Sequence, residues 1–338
     1  MKGRKRLVGW IVLGGTLVCL LPLLVIGCLY ERQYGERNET PDYLMYDLSV
    51  FSNLERSPLS FESNDGQLLA GYVYTSPEND NPLGTIIVSS GIETGHNAYL
   101  PEINYMVNSG YRVFAYDGTG NDESEGESTG GYLQAAIDLD YAIRKVKEDK
   151  RYGDLPVMLY GHGSGGYAVV SVLNHHQDIT AVVEQSGFYA STDAMPYHFQ
   201  WLKPYIKLYE YLKYGNYARE DHLNVLMHTN SHVLLLHSED DEVTSYEQSF
   251  FKYELLLSAH DHLTFRRYQN RGHDVVLDQR LIKTLKLQVD ADLAEEKMSP
   301  TLKRMYQRVF YDAKKNLDVA VMQQIIDFYN QWIYAEYE

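Results

Sequence analysis

The sequence predicts an α/β fold: a mostly parallel central sheet with helices on both faces and a helical cap insertion, preceded by one N-terminal transmembrane helix. Three observations lead there. From residue 85 onward, short β-branched runs alternate with amphipathic helical stretches. Between Phe188 and Met227 that alternation stops, and a Tyr-rich segment intervenes. Ahead of everything, Lys2, Arg4, Lys5 and Arg6 precede an apolar run from Leu7 to Tyr30, long enough to cross a hydrocarbon core as a helix.

Basic residues before the run place that end inside and the following domain outside, as in an uncleaved signal-anchor. Val25-Ile26-Gly27-Cys28 is the rival reading, a lipoprotein signal ending in a lipidated Cys28. The organisation expected is therefore an anchor at 1–30, a polar connector at 31–54, and one domain at 55–338 with its cap at about 188–227. Both cysteines, Cys19 and Cys28, lie in the apolar segment, so the domain depends on no disulfide. With 46 acidic against 30 basic residues, the formal charge of −16 repels phosphate backbones, and nucleic acid is not an expected partner.

Within the domain, Leu59 to Phe61 and Leu68 to Tyr74 flank Asn64-Asp65-Gly66, the signature of a hairpin turn. Thr85 to Ser89 and Arg112 to Tyr116 read as buried strands, with a helix from about Tyr99 to Asn108 between them. Leu133, Ala136, Ile137, Asp140, Tyr141 and Ile143 mark one mostly apolar face of a helix over about 132–147. Val157 to Tyr160, Ala181 to Glu184, Val233 to Leu236 and Thr264 to Tyr268 supply the remaining strands, and a helix over 317–334 closes the sheet edge. The 30 tyrosines suit half-buried faces where a ring packs and a hydroxyl stays wet.

Five segments at apparent strand ends carry the chemistry. Ser89-Ser90-Gly91-Ile92 follows the first buried strand, and Asp117 to Gly126 forms a glycine-rich acidic loop after the second. Gly161-His162-Gly163-Ser164-Gly165-Gly166 is a strand-to-helix turn crowded with small residues. His237-Ser238-Glu239-Asp240-Asp241 and Arg271-Gly272-His273-Asp274 complete the set, in the chain order turn, carboxylate, histidine.

In this order the segments resemble those of the α/β hydrolases, in particular the serine-aminopeptidase-like and monoacylglycerol-lipase-like branch. The resemblance implies an α/β-hydrolase fold and a Ser-His-Asp type hydrolysis of an ester or amide. It implies Asp241 as the acid, His273 as the base, and the backbone of Ile92 and Ser164 as the oxyanion hole. No cofactor is implied. The sequence departs from the pattern at Ser90, where the family has histidine, at Asp122, where it has glycine, and at the turn itself. There the motif puts Gly163 at the nucleophile position and Ser164 one residue late.

Two readings follow. Either Ser164 acts as a displaced nucleophile, or His273 activates water, and the protein is a hydrolase; alternatively it is a catalytically inactive relative that binds a ligand or partner. Counted from Ser164, the neighbours two residues away are His162 and Gly166, so one side of the turn is crowded. Glu93 and His96, in the loop after Ile92, are further candidates for substrate contact. The remaining histidine clusters, His175-His176 and His260-Asp261-His262, lack a third ligand at metal-binding spacing and read as solvated side chains.

Overall fold

The computed structural model describes residues 10, 21–41, 44–152, 154–194, 201–277, 284, 287–289, 291–292, 294–295, 297, 299–314 and 317–335. Its strands are β1 (Glu55–Pro58), β2 (Phe61–Glu62), β3 (Leu68–Leu69), β4 (Gly71–Thr75), β5 (Thr85–Ser89), β6 (Arg112–Tyr116), β7 (Val157–His162), β8 (Ala181–Gln185), β9 (His232–Ser238) and β10 (Leu263–Tyr268). Eight of them form one sheet in the order β1-β4-β6-β5-β7-β8-β9-β10. From β6 to β10 every neighbouring pair is parallel, while β4 and β1 add antiparallel at the other edge.

The helices are α1 (residues 21–34), α2 (Leu100–Asn108), α3 (Tyr132–Glu148), α4 (Ser164–Ser171), α5 (Lys203–Tyr214), α6 (His222–His228), α7 (Phe250–Leu257), α8 (Pro300–Lys314) and α9 (Val319–Ala335). Side chains alternate across each central strand, so each feeds two separate cores. Ile87, Leu159, Val182, Val233 and Leu235 point to the face covered by α3, α4 and α7. Ile86, Val88, Met158, Tyr160, Val183 and Leu234 point to the other, covered by α2 and α9. The last helix thus lies across a sheet face instead of closing an edge, and the Tyr329 hydroxyl donates to the carbonyl of Leu159 at 2.7 Å.

The hairpin forms around Gly66, whose φ of 80° suits only glycine without strain. Its second arm continues past Leu69 into β4 of the main sheet, where it pairs with β1. The expected wet tyrosines are partly wrong. Tyr74, Tyr111, Tyr160, Tyr253 and Tyr329 are almost wholly buried. Several satisfy their hydroxyls inside the core, Tyr111 on Asn330 at 2.6 Å and Tyr160 on Gln185 at 2.9 Å.

No helix among the described residues is long and apolar enough to cross a membrane. Residues 1–9 and 11–20, which hold most of the predicted spanning run, lie outside the described residues. The run's C-terminal end does not stand apart from the domain. Ile26 and Tyr30, on α1, are 0% and 2% exposed and belong to the same core as α3 and the cap. The Tyr30 ring lies 5.3 Å from Tyr209 of α5, and Tyr34 lies 6.0 Å from Tyr132 of α3.

Residues 36–40 then run as a strap along the Asp117–Gly126 loop. The amides of Asn38 and Asp122 exchange bonds with the carbonyls of Gly120 and Asn38 at 2.9 and 3.1 Å. Arg37 donates to the carbonyls of Gly126 and Asp122. Asp122 has a φ of 36°, which explains the family's glycine at this position. Here the aspartate accepts the strained conformation and gains the backbone and hydroxyl of Thr40, each at 2.6 Å.

Candidate active site

At the end of β7 the chain turns sharply into α4, and Gly163 is the apex, with φ 60° and ψ −115°. The glycines on either side are steric requirements of that turn. A Cβ on Gly161 would lie 2.2 Å from the carbonyl oxygen of Gly165, and one on Gly165 would lie 1.9 Å from that of Ser89. A Cβ on Gly163 meets only one side chain, His273, with Nε2 at 3.0 Å. The small residues therefore flank Gly163 two positions either way, and the apex direction points at the histidine.

His273 and Asp241 come together on the loops after β10 and β9. The His273 Nδ1–H donates to Asp241 Oδ2 at 2.9 Å, which turns Nε2 toward Gly163. Burial works against a charge on His273, but the hydrogen bond and charge of Asp241 outweigh it and hold the imidazole above its ordinary value. Burial would raise Asp241; hydrogen bonds from His237 and His273 reverse that and hold its carboxyl well below the usual carboxylate range. The other oxygen of Asp241 accepts the amides of Val243 and Thr244 at 2.8 and 2.9 Å, so one residue both caps its loop and faces the imidazole. Asp240 performs a different task. Its Oδ1 accepts the amides of Arg271 and Gly272, each at 3.1 Å, and so ties the acid loop to the histidine loop.

Ser164 is the first residue of α4 and is not brought to His273. Its Oγ accepts the amide of Ile92 at 2.7 Å, so the hydroxyl sits on one of the two backbone donors expected to form the oxyanion hole. The Ile92 loop is braced from the strap, with Asn38 donating to the Ile92 carbonyl at 2.9 Å. Above the turn lies a cavity of about 590 Å³ lined by Gly163, Ser164, His273, Ile92, Glu93, Tyr132, Phe188 and the strap residues Asn38 and Glu39. Glu93 thus faces the cavity as the sequence suggested. His96 does not: it is 4% exposed and bonded to Asp117 at 2.7 Å.

Residues 80–233 match the family model described as serine aminopeptidase, S33. No curated protein gives a significant sequence match. Among solved structures, an esterase of Pyrococcus furiosus is similar over 77% of this chain and 97% of its own, with 16% identity and a TM-score of 0.54. An acetyl xylan esterase from Paenibacillus is similar over 73% of this chain and 85% of its own, with 14% identity and a TM-score of 0.52. An acylaminoacyl peptidase of Pyrococcus horikoshii is similar over 67% of this chain and 39% of its own, with 18% identity and a TM-score of 0.51. This is an α/β-hydrolase fold.

Around this elbow, the sequence left four positioning side chains unassigned. His162 donates from Nε2 to the carbonyl of His273 at 3.2 Å and accepts the Tyr99 hydroxyl at Nδ1, 2.9 Å away. Burial, then repulsion from His273, lowers its pKa and keeps that imidazole neutral. Tyr99 in turn accepts the amide of Gly91 at 3.0 Å, so one chain of bonds joins the oxyanion loop to the histidine loop. Ser186, with a φ of 52°, also donates to the His273 carbonyl, at 2.8 Å. His237 lies behind the acid, its Nε2 at 3.2 Å from Asp241 Oδ2 and at 3.1 Å from the Thr244 carbonyl. Only His162 carried a signal, its place inside the turn motif; the others are set by which loops meet in space. Of the other histidines, His176 is buried on Asp140 at 2.6 Å instead of solvated.

Proposed function

We propose that this protein is a membrane-anchored hydrolase of ester or amide bonds in which the Asp241–His273 pair activates water instead of a serine hydroxyl. Its domain lies outside the membrane that the N-terminal segment engages. The observation that carries the reading is the 3.0 Å between Nε2 of His273 and the Cβ position of Gly163. The imidazole is oriented by a buried carboxylate, and the space a serine side chain would fill opens into the cavity. A water there is within reach of a base whose second nitrogen is already committed to Asp241. Attack on a carbonyl places the developing oxyanion near the Ile92 amide, and Ser164 Oγ must rotate off that amide to release it. Ser164 is thus a gate on the oxyanion hole in this reading, and Gly163 takes the nucleophile's place without its hydroxyl.

That same Ser164–Ile92 bond favours a second reading, a ligand-binding relative without turnover, because it satisfies the donor that catalysis needs. Fluorophosphonate labelling and hydrolysis of p-nitrophenyl acetate separate the two. The native chain is expected to resist labelling, to hydrolyse the ester, and to lose about 10²-fold or more of that rate in His273→Ala. Ser164→Ala is expected to retain the rate, and Gly163→Ser to become labelled. A native rate indifferent to His273→Ala supports the second reading, while labelling of the native chain that disappears in Ser164→Ala returns the nucleophile to Ser164.

A further inference from the structure

The cap helix α5 has two faces of opposite kind. Ile206, Glu210 and Tyr214 face the core. Leu208, Tyr211 and Leu212, at the i, i+3, i+4 spacing of one helix face, are 43%, 38% and 69% exposed, and Trp201 in the turn leading into the helix is 73% exposed. Few large apolar side chains on a soluble surface stand together in this way without a partner.

The exposed charges on the helix itself all have one sign. Lys207 and Lys213 are exposed on the helix, and Arg219 stacks its guanidinium 4.3 Å over the Tyr211 ring. The helix's one carboxylate, Glu210, is 2% exposed and accepts the Ser191 hydroxyl at 2.9 Å. Lys203 is already paired with Asp193. In a chain of formal charge −16, an exposed face of leucine, tyrosine and tryptophan bordered by Lys207, Lys213 and Arg219, with the exposed Glu31 of α1 as an acid beside Tyr209, is a local reversal.

Alongside it runs α1, the end of the apolar N-terminal run. The Gly27 Cβ position is 3.5 Å from the Tyr209 ring, and Lys213 Nζ lies 5.3 Å over Tyr30. On the outward side of α1, Leu21, Leu24 and Val25 are 60%, 67% and 43% exposed.

We propose that the exposed face of α5, beside the outward side of α1, lies in the headgroup region of an anionic lipid bilayer, as a second membrane contact beyond the N-terminal segment. Apolar side chains of a surface-lying helix enter the acyl boundary while its lysines meet lipid phosphates. The cationic border selects an anionic surface, and the adjoining apolar run brings that surface to the same side of the protein.

The test uses the full chain carrying Trp10→Phe, mixed with vesicles of phosphatidylcholine alone or with phosphatidylglycerol, with or without bromine on the acyl chains. Trp201 emission is the difference from the same chain also carrying Trp201→Phe. Trp201 is expected to be quenched by brominated lipid in the mixed vesicles and much less in the neutral ones. The docked-to-undocked ratio is expected to fall about fivefold for each of Lys207→Gln and Lys213→Gln. Leu208→Ser with Leu212→Ser is expected to abolish quenching while leaving the thermal melt unchanged. Absence of quenching in both vesicles, equal quenching in both, or quenching untouched by the paired leucine substitutions overturns the proposal. Trp201 protected by an added protein partner but not by lipid overturns it in favour of that partner.

Discussion

The residue that decides the proposed chemistry is the one that carries no side chain. Gly163 keeps the backbone angles of a sharp strand-to-helix turn, its direction points to His273, and His273 is hydrogen-bonded to Asp241 behind it. Asp241 and His273 were legible in the sequence because each ends a strand at a fixed offset, and such offsets survive folding. The destination of the Ser164 hydroxyl was not legible, because it depends on which residue becomes the apex, and a shift of one position reverses where every neighbour points. The pair also fixes a pH dependence. The base works when neutral, and its pKa lies above the ordinary histidine value, so hydrolysis is expected to rise with pH through a midpoint above about 6.5. In Asp241→Asn the carboxylate's charge is gone and burial is opposed only by the smaller effects of Asp274 and Glu93, so that midpoint moves to lower pH. The same substitution lowers the maximal rate about 10³-fold or more, since the imidazole loses its orientation as well. A rate–pH profile of the two proteins measures both effects.

At the scale of elements, the elbow is held by contacts between backbones. Gly165→Ala puts a methyl 1.9 Å from the Ser89 carbonyl, and neither α4 nor β5 can yield by a side-chain rotation. The substitution is expected to cost about 3 kcal/mol, read from urea unfolding. The cap contains a different kind of stress. Burial raises Glu210 to about 7, although the Ser191 hydrogen bond opposes it, against an unfolded value near 4.5. The stability that comes from keeping this proton is present below about 4.5 and is lost as pH rises through about 7. Glu210→Gln is therefore expected to melt higher than the native chain at pH 8, with a much smaller difference at pH 5. The central strands were readable because a run such as Thr85-Ile86-Ile87-Val88 is buried on both sides and needs no partner to identify it. Strand β1 was missed for the opposite reason. Glu55-Arg56-Ser57-Pro58 is exposed throughout and is a strand only because β4 offers it an edge.

Across the whole molecule, hydropathy and packing divide the chain at different places. The apolar run ends at Tyr30, and sequence alone sets the anchor apart from the domain there. In the folded protein α1 runs to residue 34, seats Ile26 and Tyr30 in the core, and continues as the strap that lines the cavity. Hydropathy could not reveal this, because an apolar residue looks the same whether lipid or the protein's own tyrosines surround it. A chain trimmed to begin at Glu31, where hydropathy would cut it, leaves Tyr209 and Tyr214 without their partner on α1. It is expected to melt at a lower temperature than one beginning at Leu21 in a calorimetric scan. The strap's bonds to Asp122 and Ile92 give this a mechanical meaning. A pull on the N-terminal segment is a load on the wall of the cavity, so in the proposed reading the leash is also a lever on the candidate site.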